Sequence, residues 1–296
     1  VKYMDETVLQ EAQAPAIEVK DVVKIYKLYN KPRDRVKEAF GFGKKQQTKL
    51  HYALNGVSLK IAKGETVGII GTNGSGKSTL MNCIAGVFYP DKGHILIDGV
   101  DVTRMPEHVR AKYIGRVFQD PMKGTAPHLT IEENLALAYT RKDRKPFRSA
   151  VRKQEKDLFR TELEKYHMDL ENRMKTKVGL LSGGQRQVVT LLMCTLVMPK
   201  LLLLDEHTAA LDPATADKVM EITRSIVSEN HLTTLMITHN LSQALTTGNR
   251  TIMLDEGRII LDLGGEERAK MGVNDLLDCY AEKKKKAFDN DRMMLA

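Results

Sequence analysis

The chain has no tryptophan, only three cysteines and no long hydrophobic run. Cys83, Cys194 and Cys279 are widely spaced and odd in number, so they fit neither a disulfide framework nor a zinc pattern and favour a reducing cytosol. The longest predominantly apolar run, residues 188–198, is shorter than the roughly 20 residues that span a bilayer. We therefore expect a soluble chain without a signal sequence, which meets a membrane only through another subunit.

Positive charge is unevenly distributed along the 296 residues. The net charge is +8, and Lys and Arg far outnumber acidic residues between positions 24 and 50. A solvated surface is the simplest interpretation of this segment, and contact with an anionic lipid surface is the alternative. No recognition-helix pattern is present, so we expect no nucleic-acid partner.

Strand-like and helix-like segments alternate over most of the chain. Short apolar strands near 66–70, 201–205 and 232–239, separated by helical sequence, predict an α/β fold whose mainly parallel core sheet has helices on both faces. The alternating stretch after residue 16 predicts an N-terminal antiparallel β subdomain. Charged helical sequence at about 120–180, with a capping box at Thr130 and Glu133, predicts an inserted α-helical subdomain.

The same pattern predicts one large domain with flexible ends. We expect a flexible arm at 1–15, the domain at 16–282 and a flexible tail at 283–296. A basic surface insertion is expected at about 27–50, where Pro32, Gly41 and Gly43 interrupt the strand pattern.

The strongest chemical motif is GTNGSGKST at residues 71–79. It satisfies G-x-x-x-x-G-K-[ST] and lies between a buried strand and a helix, the context typical of a phosphate-binding loop. Its glycines let backbone N–H groups turn inward around phosphate oxygens. Lys77 is expected to reach the β- and γ-phosphates, and Ser78 to offer its hydroxyl to Mg²⁺. The predicted nucleotide-binding residues are Gly71, Thr72, Asn73, Gly74, Ser75, Gly76, Lys77, Ser78 and Thr79.

Polar side chains also follow three other predicted strands. Asp205 and Glu206 end the run LLLLDE, where Asp205 is placed to hold Mg²⁺ through water and Glu206 to act as general base on a water molecule. Gln119 and His239 each end a further strand. Alone, a Gln or His at such a position is a weak indication of a binding site.

A second glycine-containing turn, LSGGQRQ, lies at residues 181–187. Its Ser-Gly-Gly sequence opens an apolar helix, and the free backbone N–H groups at a helix start favour an anion. No lysine accompanies the turn, so other contacts to that anion must come from elsewhere.

The order of these motifs resembles that of an ABC transporter ATP-binding subunit. Along the chain come an aromatic residue after the first strand, the phosphate loop, Gln119, LSGGQ, the Asp205–Glu206 pair, AALD at 209–212 and His239. The similarity runs from about residue 17 to 280. It implies a P-loop NTPase that binds ATP and Mg²⁺ and hydrolyses ATP at the cytoplasmic face of a bacterial cell membrane, as a peripheral subunit.

The resemblance also implies roles for single residues. The signature turn, residues Ser182, Gly183, Gly184 and Gln185, would meet the γ-phosphate of an ATP that the phosphate loop of a second subunit holds. A homodimer with two sandwiched ATP molecules is therefore expected. Asp212 would couple its two sites. Two departures are His207, where many members have Pro, and Ala209, where many have Ser.

The remaining implied roles concern the nucleotide itself. Tyr26 would stack on the adenine, with Tyr29 and Tyr52 as rivals. Gln119 would touch Mg²⁺ or water and sense the transporter. Lys77, Gln119, Glu206 and His239 form the expected catalytic set, in which His239 contacts the γ-phosphate and holds Glu206.

The resemblance differs between the two parts of the chain. Residues 17–97 resemble ATPases of polysaccharide or teichoic-acid exporters, whereas residues from about 102 on resemble importer ATPases of the aromatic amino acid type. A recombined or engineered chain and a separate native branch would both explain this. Because the permease is expected to dock near residues 119–180, import of a small solute with an extracytoplasmic solute-binding protein is favoured. Polysaccharide export is the alternative, and soluble iron–sulfur cluster assembly a lower one.

Overall fold

The computed structural model describes residues 15–29, 49–141 and 152–294, with side chains through residue 283. Apart from Pro15, the expected N-terminal arm lies outside the described residues. Positions 30–48 also lie outside the described residues. They make up most of the expected basic insertion and most of the segment that could contact anionic lipid.

Ten strands in the described part form two sheets. A four-stranded sheet, all antiparallel, has the order β2-β1-β4-β5, and a six-stranded sheet has the order β10-β9-β3-β8-β7-β6. The strands are β1 (Ile17–Leu28), β2 (Lys49–Ile61), β3 (Thr66–Gly71), β4 (Lys92–Ile97), β5 (Val100–Asp101), β6 (Ile114–Val117), β7 (Leu201–Asp205), β8 (Thr234–Ile237), β9 (Arg250–Asp255) and β10 (Arg258–Gly264).

Helices connect these strands. In the described ranges they are α1 (Lys77–Ala85), α2 (Glu107–Arg110), α3 (Ile131–Tyr139), α4 (Lys153–Glu164), α5 (Gly183–Thr195), α6 (Pro213–Glu229), α7 (Leu241–Thr246), α8 (Gly265–Ala269) and α9 (Val273–Met294). None of them is long and apolar enough to cross a bilayer.

The six-stranded sheet is the parallel core that the sequence predicts. Its strands β9, β3, β8, β7 and β6 run parallel, and only β10 is antiparallel to its neighbour. Strands β7 and β8 are apolar and buried on both faces because helices cover both sides of the sheet. Leu201 and Leu203 of β7 belong to the core cluster that contains α1, and Leu202 and Leu204 to the cluster that contains α5. The predicted α/β P-loop fold with its antiparallel N-terminal sheet is confirmed.

Strands β1 and β2 form a long hairpin that corrects the expected bounds of the basic insertion. Lys27 pairs with Leu50 and Leu28 with Lys49, so both ends of the range 27–50 lie in strands. Cross-strand pairing satisfies the backbone groups there, so the hairpin continues to Leu28 despite the basic composition.

The helices between β6 and β7 begin with the predicted capping box. Thr130 N donates to Glu133 Oε2 at 2.7 Å, and Glu133 N donates to Thr130 Oγ1 at 3.3 Å. Phe159 and Leu163 of α4 are buried in the same cluster as Leu135 of α3, so an apolar stripe joins these otherwise charged helices.

The C-terminal boundary also differs from the expected one. Residue 283 falls inside α9, which runs to Met294. The sequence there is rich in Ala, Glu, Lys and Met, which are strong helix formers, so local propensity continues the helix past the core.

Candidate nucleotide-binding and hydrolysis site

Four parallel strands bring the polar motifs to one edge of the core sheet. The neighbouring strands β3, β8, β7 and β6 all end at this edge. The phosphate loop follows β3, Gln119 follows β6, Asp205 and Glu206 end β7, and His239 follows β8. Motifs that are distant in sequence thus share one edge, where ligands of open α/β sheets bind.

Glycine is required at the first position of the phosphate loop. Gly71 has φ +149°, and a Cβ there would overlap the backbone oxygen of Leu254 and approach Ser75 Oγ at 2.7 Å. Gly76, with φ +106°, caps the N-terminus of α1. Ser75 Oγ is buried and has no hydrogen-bond partner among the described residues. The loop is therefore a tight cradle around Gly71 that encloses the Ser75 hydroxyl.

Lys77 folds over this cradle. Its Nζ donates to Gly71 O at 2.7 Å and to Thr72 O at 2.9 Å. Burial lowers the pKa of Lys77, and the nearby carboxylates of Glu206 and Asp205 oppose that shift. The carboxylates of Asp205, at the end of β7, and of Glu206, the next residue, therefore stabilise the charged ammonium of Lys77.

Glu206 and His239 are in direct contact, as expected from the sequence. His239 Nε2 lies 2.7 Å from Glu206 Oε1, and Glu206 is only 13% exposed. Glu206 adopts φ +48°, an uncommon conformation for a residue with a Cβ, and its N–H donates to Ile237 O at 3.0 Å. The turn leaving β7 thus holds the carboxylate towards the end of β8.

Arg116 is a polar neighbour that the sequence analysis missed. Its Nη2 lies 3.3 Å from Asp205 Oδ2. Two features of the sequence could have indicated Arg116. It is a basic residue three positions before Gln119, and its strand β6 pairs with β7, which ends at Asp205. Gln119 itself is exposed at the start of the following loop.

The three candidate adenine-stacking tyrosines lie in different surroundings. The Tyr26 ring meets Phe88, just after α1, edge-on with 6.3 Å between centroids. Partial burial raises the pKa of Tyr26, and the Thr79 side chain beside it opposes that shift. Tyr52 pairs with Ile25, so it lies on the other face of the hairpin and is 44% exposed. Tyr29 lies just beyond β1. Tyr26 is therefore the one beside the phosphate-loop helix.

The signature turn is a helix N-terminus with a complete capping box. Ser182 N donates to Gln185 Oε1 and Gln185 N donates to Ser182 Oγ, both at 3.3 Å. Ser182 and Gly183 are exposed, whereas Gly184 is buried. Asp212 caps α6 by accepting from Thr215 N at 3.1 Å, and hydrogen bonds from Thr215 lower the pKa of Asp212. The exposed part of the turn is thus open to a partner.

Gly184 is packed so tightly that we predict a defect with a specific suppressor. A Cβ at Gly184 would overlap Thr215 Cγ2 at the start of α6. Gly184→Ala should therefore destabilise the chain by about 1–3 kcal/mol, the usual cost of overpacking. Adding Thr215→Ser, which removes the Cγ2 methyl and keeps the hydroxyl, should recover most of that loss in urea unfolding. If the double variant is no more stable than Gly184→Ala, the proposed clash is wrong.

His207 is a buried link between the Glu206 turn and α6. It is 3% exposed, and its Nε2 lies 3.1 Å from Thr223 Oγ1. Because Thr223 Oγ1 donates its only hydrogen to Val219 O at 2.7 Å, His207 Nε2 must be the donor. His207 therefore carries a proton on Nε2. Burial lowers the pKa of His207 to about 4.

This buried histidine predicts a loss of stability in acid. Below an unfolded-state pKa of about 6.5 the unfolded chain takes up a proton that folded His207 does not, so stability falls as the pH drops towards 4. Between pH 7 and 4.5 this group should remove about 2–3 kcal/mol of unfolding free energy. His207→Gln should lose less stability than the wild type over this range in urea unfolding. Exposed His108→Gln is the matched control, and equal losses in the wild type and His207→Gln would contradict the prediction.

The residues at this edge suit a nucleotide phosphate and a hard divalent cation. The cradle of Gly71 and the unpartnered hydroxyl of Ser75 leave donors for phosphate oxygens. Ser78 is exposed in the first turn of α1, and Asp205 presents a carboxylate. Hydroxyl and carboxylate oxygens are ligands that Mg²⁺ prefers.

Comparison with known proteins identifies the family. Residues 54–209 match the family model described as ABC transporter. The chain is 45% identical over 224 residues to the tyrosine transport ATP-binding protein of Clostridioides difficile, which covers 76% of this chain and 89% of that protein. The chain therefore belongs to the ATP-binding subunits of ABC transporters, which hydrolyse ATP.

Further relatives and solved structures agree with this assignment. The chain is 34% identical over 234 residues to the xylose/arabinose import ATP-binding protein XylG of Sulfolobus acidocaldarius, covering 77% of this chain and 89% of that one. It is 35% identical to the sulfate/thiosulfate import ATP-binding protein CysA of Bradyrhizobium diazoefficiens, covering 70% of this chain but only 58% of CysA. A dimeric ATP-binding cassette bound to ADP and Pi matches with a TM-score of 0.65 and 28% identity, covering 84% of this chain and 98% of the cassette.

Proposed function

We propose that this chain is the ATPase subunit of an importer that moves a small solute, such as an amino acid, through a separate membrane permease. The observation that carries this proposal is the 45% identity to a protein named for tyrosine transport. The other two relatives described above are named for import of a sugar and of sulfate or thiosulfate. These names support import over polysaccharide export or iron–sulfur cluster assembly.

Nucleotide binding is proposed to centre on the phosphate loop and Tyr26. The loop from Gly71 to Thr79 wraps the phosphates, and Lys77 exchanges its two carbonyl contacts for the β- and γ-phosphates. Support comes from its bonds to Gly71 O and Thr72 O, which hold the ammonium directly over the loop. Tyr26, beside α1, stacks on the adenine.

Hydrolysis is proposed to depend on Glu206 as general base. Its carboxylate takes a proton from the attacking water, and His239 orients it by donating from Nε2. Ser78, Asp205 and Gln119 are the proposed Mg²⁺-holding residues; a bound Mg²⁺ would neutralise charge on the β- and γ-phosphates. Gln119 also reports the state of the permease to the site.

A pair of identical chains is the proposed working unit. Each signature turn, Ser182 to Gln185, completes the site of the partner by directing the N-terminus of α5 at the γ-phosphate. The exposure of Ser182 and Gly183 and the dimeric cassette among the similar structures support this arrangement. Asp212, whose side chain caps α6, couples the two sites.

The permease is proposed to dock near residues 119–180, at the cytoplasmic face of the cell membrane. Helix α3, which lies in this range, packs against α5, the helix that begins at the signature turn. A movement of the permease against α3 would therefore be transmitted to the signature turn. An extracytoplasmic solute-binding protein would deliver the solute. Residues 24–50 remain a proposed contact with anionic lipid.

Reconstitution with permeases of both types tests the proposed direction. The chain is co-assembled in vesicles with the membrane subunit of an aromatic amino acid importer or of a polysaccharide exporter, and ATPase activity is measured with and without tyrosine and a tyrosine-binding protein. We expect solute-stimulated activity only with the importer subunit, and none with Glu206→Gln. Stimulation only by the exporter subunit would reverse the proposal.

A further inference from the structure

Arg116 places a second cation beside the carboxylate that is proposed to hold Mg²⁺. Its Nη2 lies 3.3 Å from Asp205 Oδ2, and the two side chains are only 11% and 18% exposed. The guanidinium also lies over the Phe118 ring, with 4.6 Å from Cζ to the ring centroid. Arg116 Nε is buried and has no hydrogen-bond partner in the described part of the chain.

The register of β6 and β7 brings Arg116 within reach of Asp205. Arg116 pairs with Leu203 in the parallel ladder of β6 and β7, and Asp205 follows Leu203 by two residues. Side chains two apart on a strand share a face, so Arg116 and Asp205 lie diagonally opposite each other on the α1 side of the sheet. Helix α1, which begins at Lys77, packs on this face.

We propose that Arg116 is a positioning residue that holds the Asp205 carboxylate and competes with Mg²⁺ for it. This inference rests on the proposed function. A guanidinium paired with Asp205 uses a lone pair that the cation needs, and its positive charge repels Mg²⁺ at short range. The same charge attracts the phosphates of a nucleotide that arrives without metal. Arg116 therefore makes nucleotide binding less dependent on Mg²⁺ than Asp205 alone would.

The dissociation constant for ATPγS, measured by calorimetry, tests this competition. It is determined in Mg²⁺ and in EDTA, and the ratio of the EDTA value to the Mg²⁺ value reports the coupling. Arg116→Met keeps the apolar stem over Phe118 and should raise the ratio about tenfold, since a close charge pair of this kind is worth at least that factor. Arg116→Lys keeps the charge and should stay within about threefold of the wild-type ratio.

Two further variants separate this effect from unrelated ones. Arg224→Met makes the same change of charge at an exposed position of α6 and should leave the ratio at the wild-type value. If Arg116→Met does not fold by circular dichroism, Arg116→Gln replaces it with the same expectation.

The outcomes distinguish this inference from the proposed function. If Arg116→Met or Arg116→Gln folds and its ratio of dissociation constants is equal to or lower than that of the wild type, Arg116 does not compete with Mg²⁺. Nucleotide binding by the wild type would still support the proposed function in that case. A wild-type chain that binds no nucleotide in either buffer overturns the proposed function and the competition together.

Discussion

Replacing Glu206 by glutamine should leave ATP binding intact and lower ATP turnover by roughly 10²–10⁴-fold, the usual contribution of a general base. The substitution keeps the size of the side chain and can still meet His239 Nε2, which lies 2.7 Å from Glu206 Oε1 in the wild type. It removes the negative charge, and with it the capacity to take a proton from water. Binding by calorimetry and turnover by phosphate release measure the two effects separately.

The same variant should accumulate as an ATP-bound dimer. Because hydrolysis is what reopens the proposed pair, a slow enzyme remains closed, and size-exclusion chromatography with Mg²⁺-ATP should detect the larger species. Glu221→Gln, at an exposed position of α6, is the matched control and should turn over like the wild type. A Glu206→Gln chain that is monomeric and fast would contradict the assigned role.

Gly71→Ala should abolish measurable ATP binding and destabilise the fold. The added Cβ would overlap Leu254 O, a backbone atom that cannot rotate away, at a φ of +149° that side chains rarely adopt. Strain and overpacking together should cost about 2–5 kcal/mol in urea unfolding. ATP affinity should fall more than roughly a hundredfold, because a shift of a few tenths of an ångström misaligns the donors of the cradle.

Gly74→Ala is the matched control for that prediction. Gly74 also has a positive φ, +81°, but a Cβ there would meet no atom within 4 Å. Gly74→Ala should therefore lower the free energy of unfolding only by the cost of a left-handed backbone at a residue with a Cβ, about 1–2 kcal/mol. The variant should retain most of the ATP affinity. Equal defects in the two variants would show that crowding at Leu254 O is not the cause.

Local sequence pattern predicted which polar residues follow the parallel strands of the core sheet. The runs 66–70 and 201–205 are apolar because parallel strands are covered on both faces. Polar residues follow them because the carboxyl ends of the strands reach the edge of the sheet where ligands bind. The contact between His239 and Glu206 was expected from the resemblance to ABC transporter ATP-binding subunits. The residue roles at this edge stay predictions until the experiments above are done.

Other features could not be found from pattern alone. The hairpin bounds of the basic insertion depend on pairing of Leu28 with Lys49, which composition does not reveal. No sequence motif singled out Arg116, and His207 was noted only as a departure from the residue that many members of the family have. Their contacts with Asp205 and Thr223 arise from register between β6 and β7 and from packing of α6.

By itself, the sequence determined the class of fold, the nucleotide chemistry and the order of the motifs, because each of these depends on neighbouring residues and on periodicity along the chain. Only the tertiary structure decided which side chains touch across elements: His207 with Thr223, Gly184 against Thr215, and Arg116 with Asp205. Such contacts join residues far apart in the chain, and their distances depend on strand register and helix packing, which no local stretch of sequence encodes.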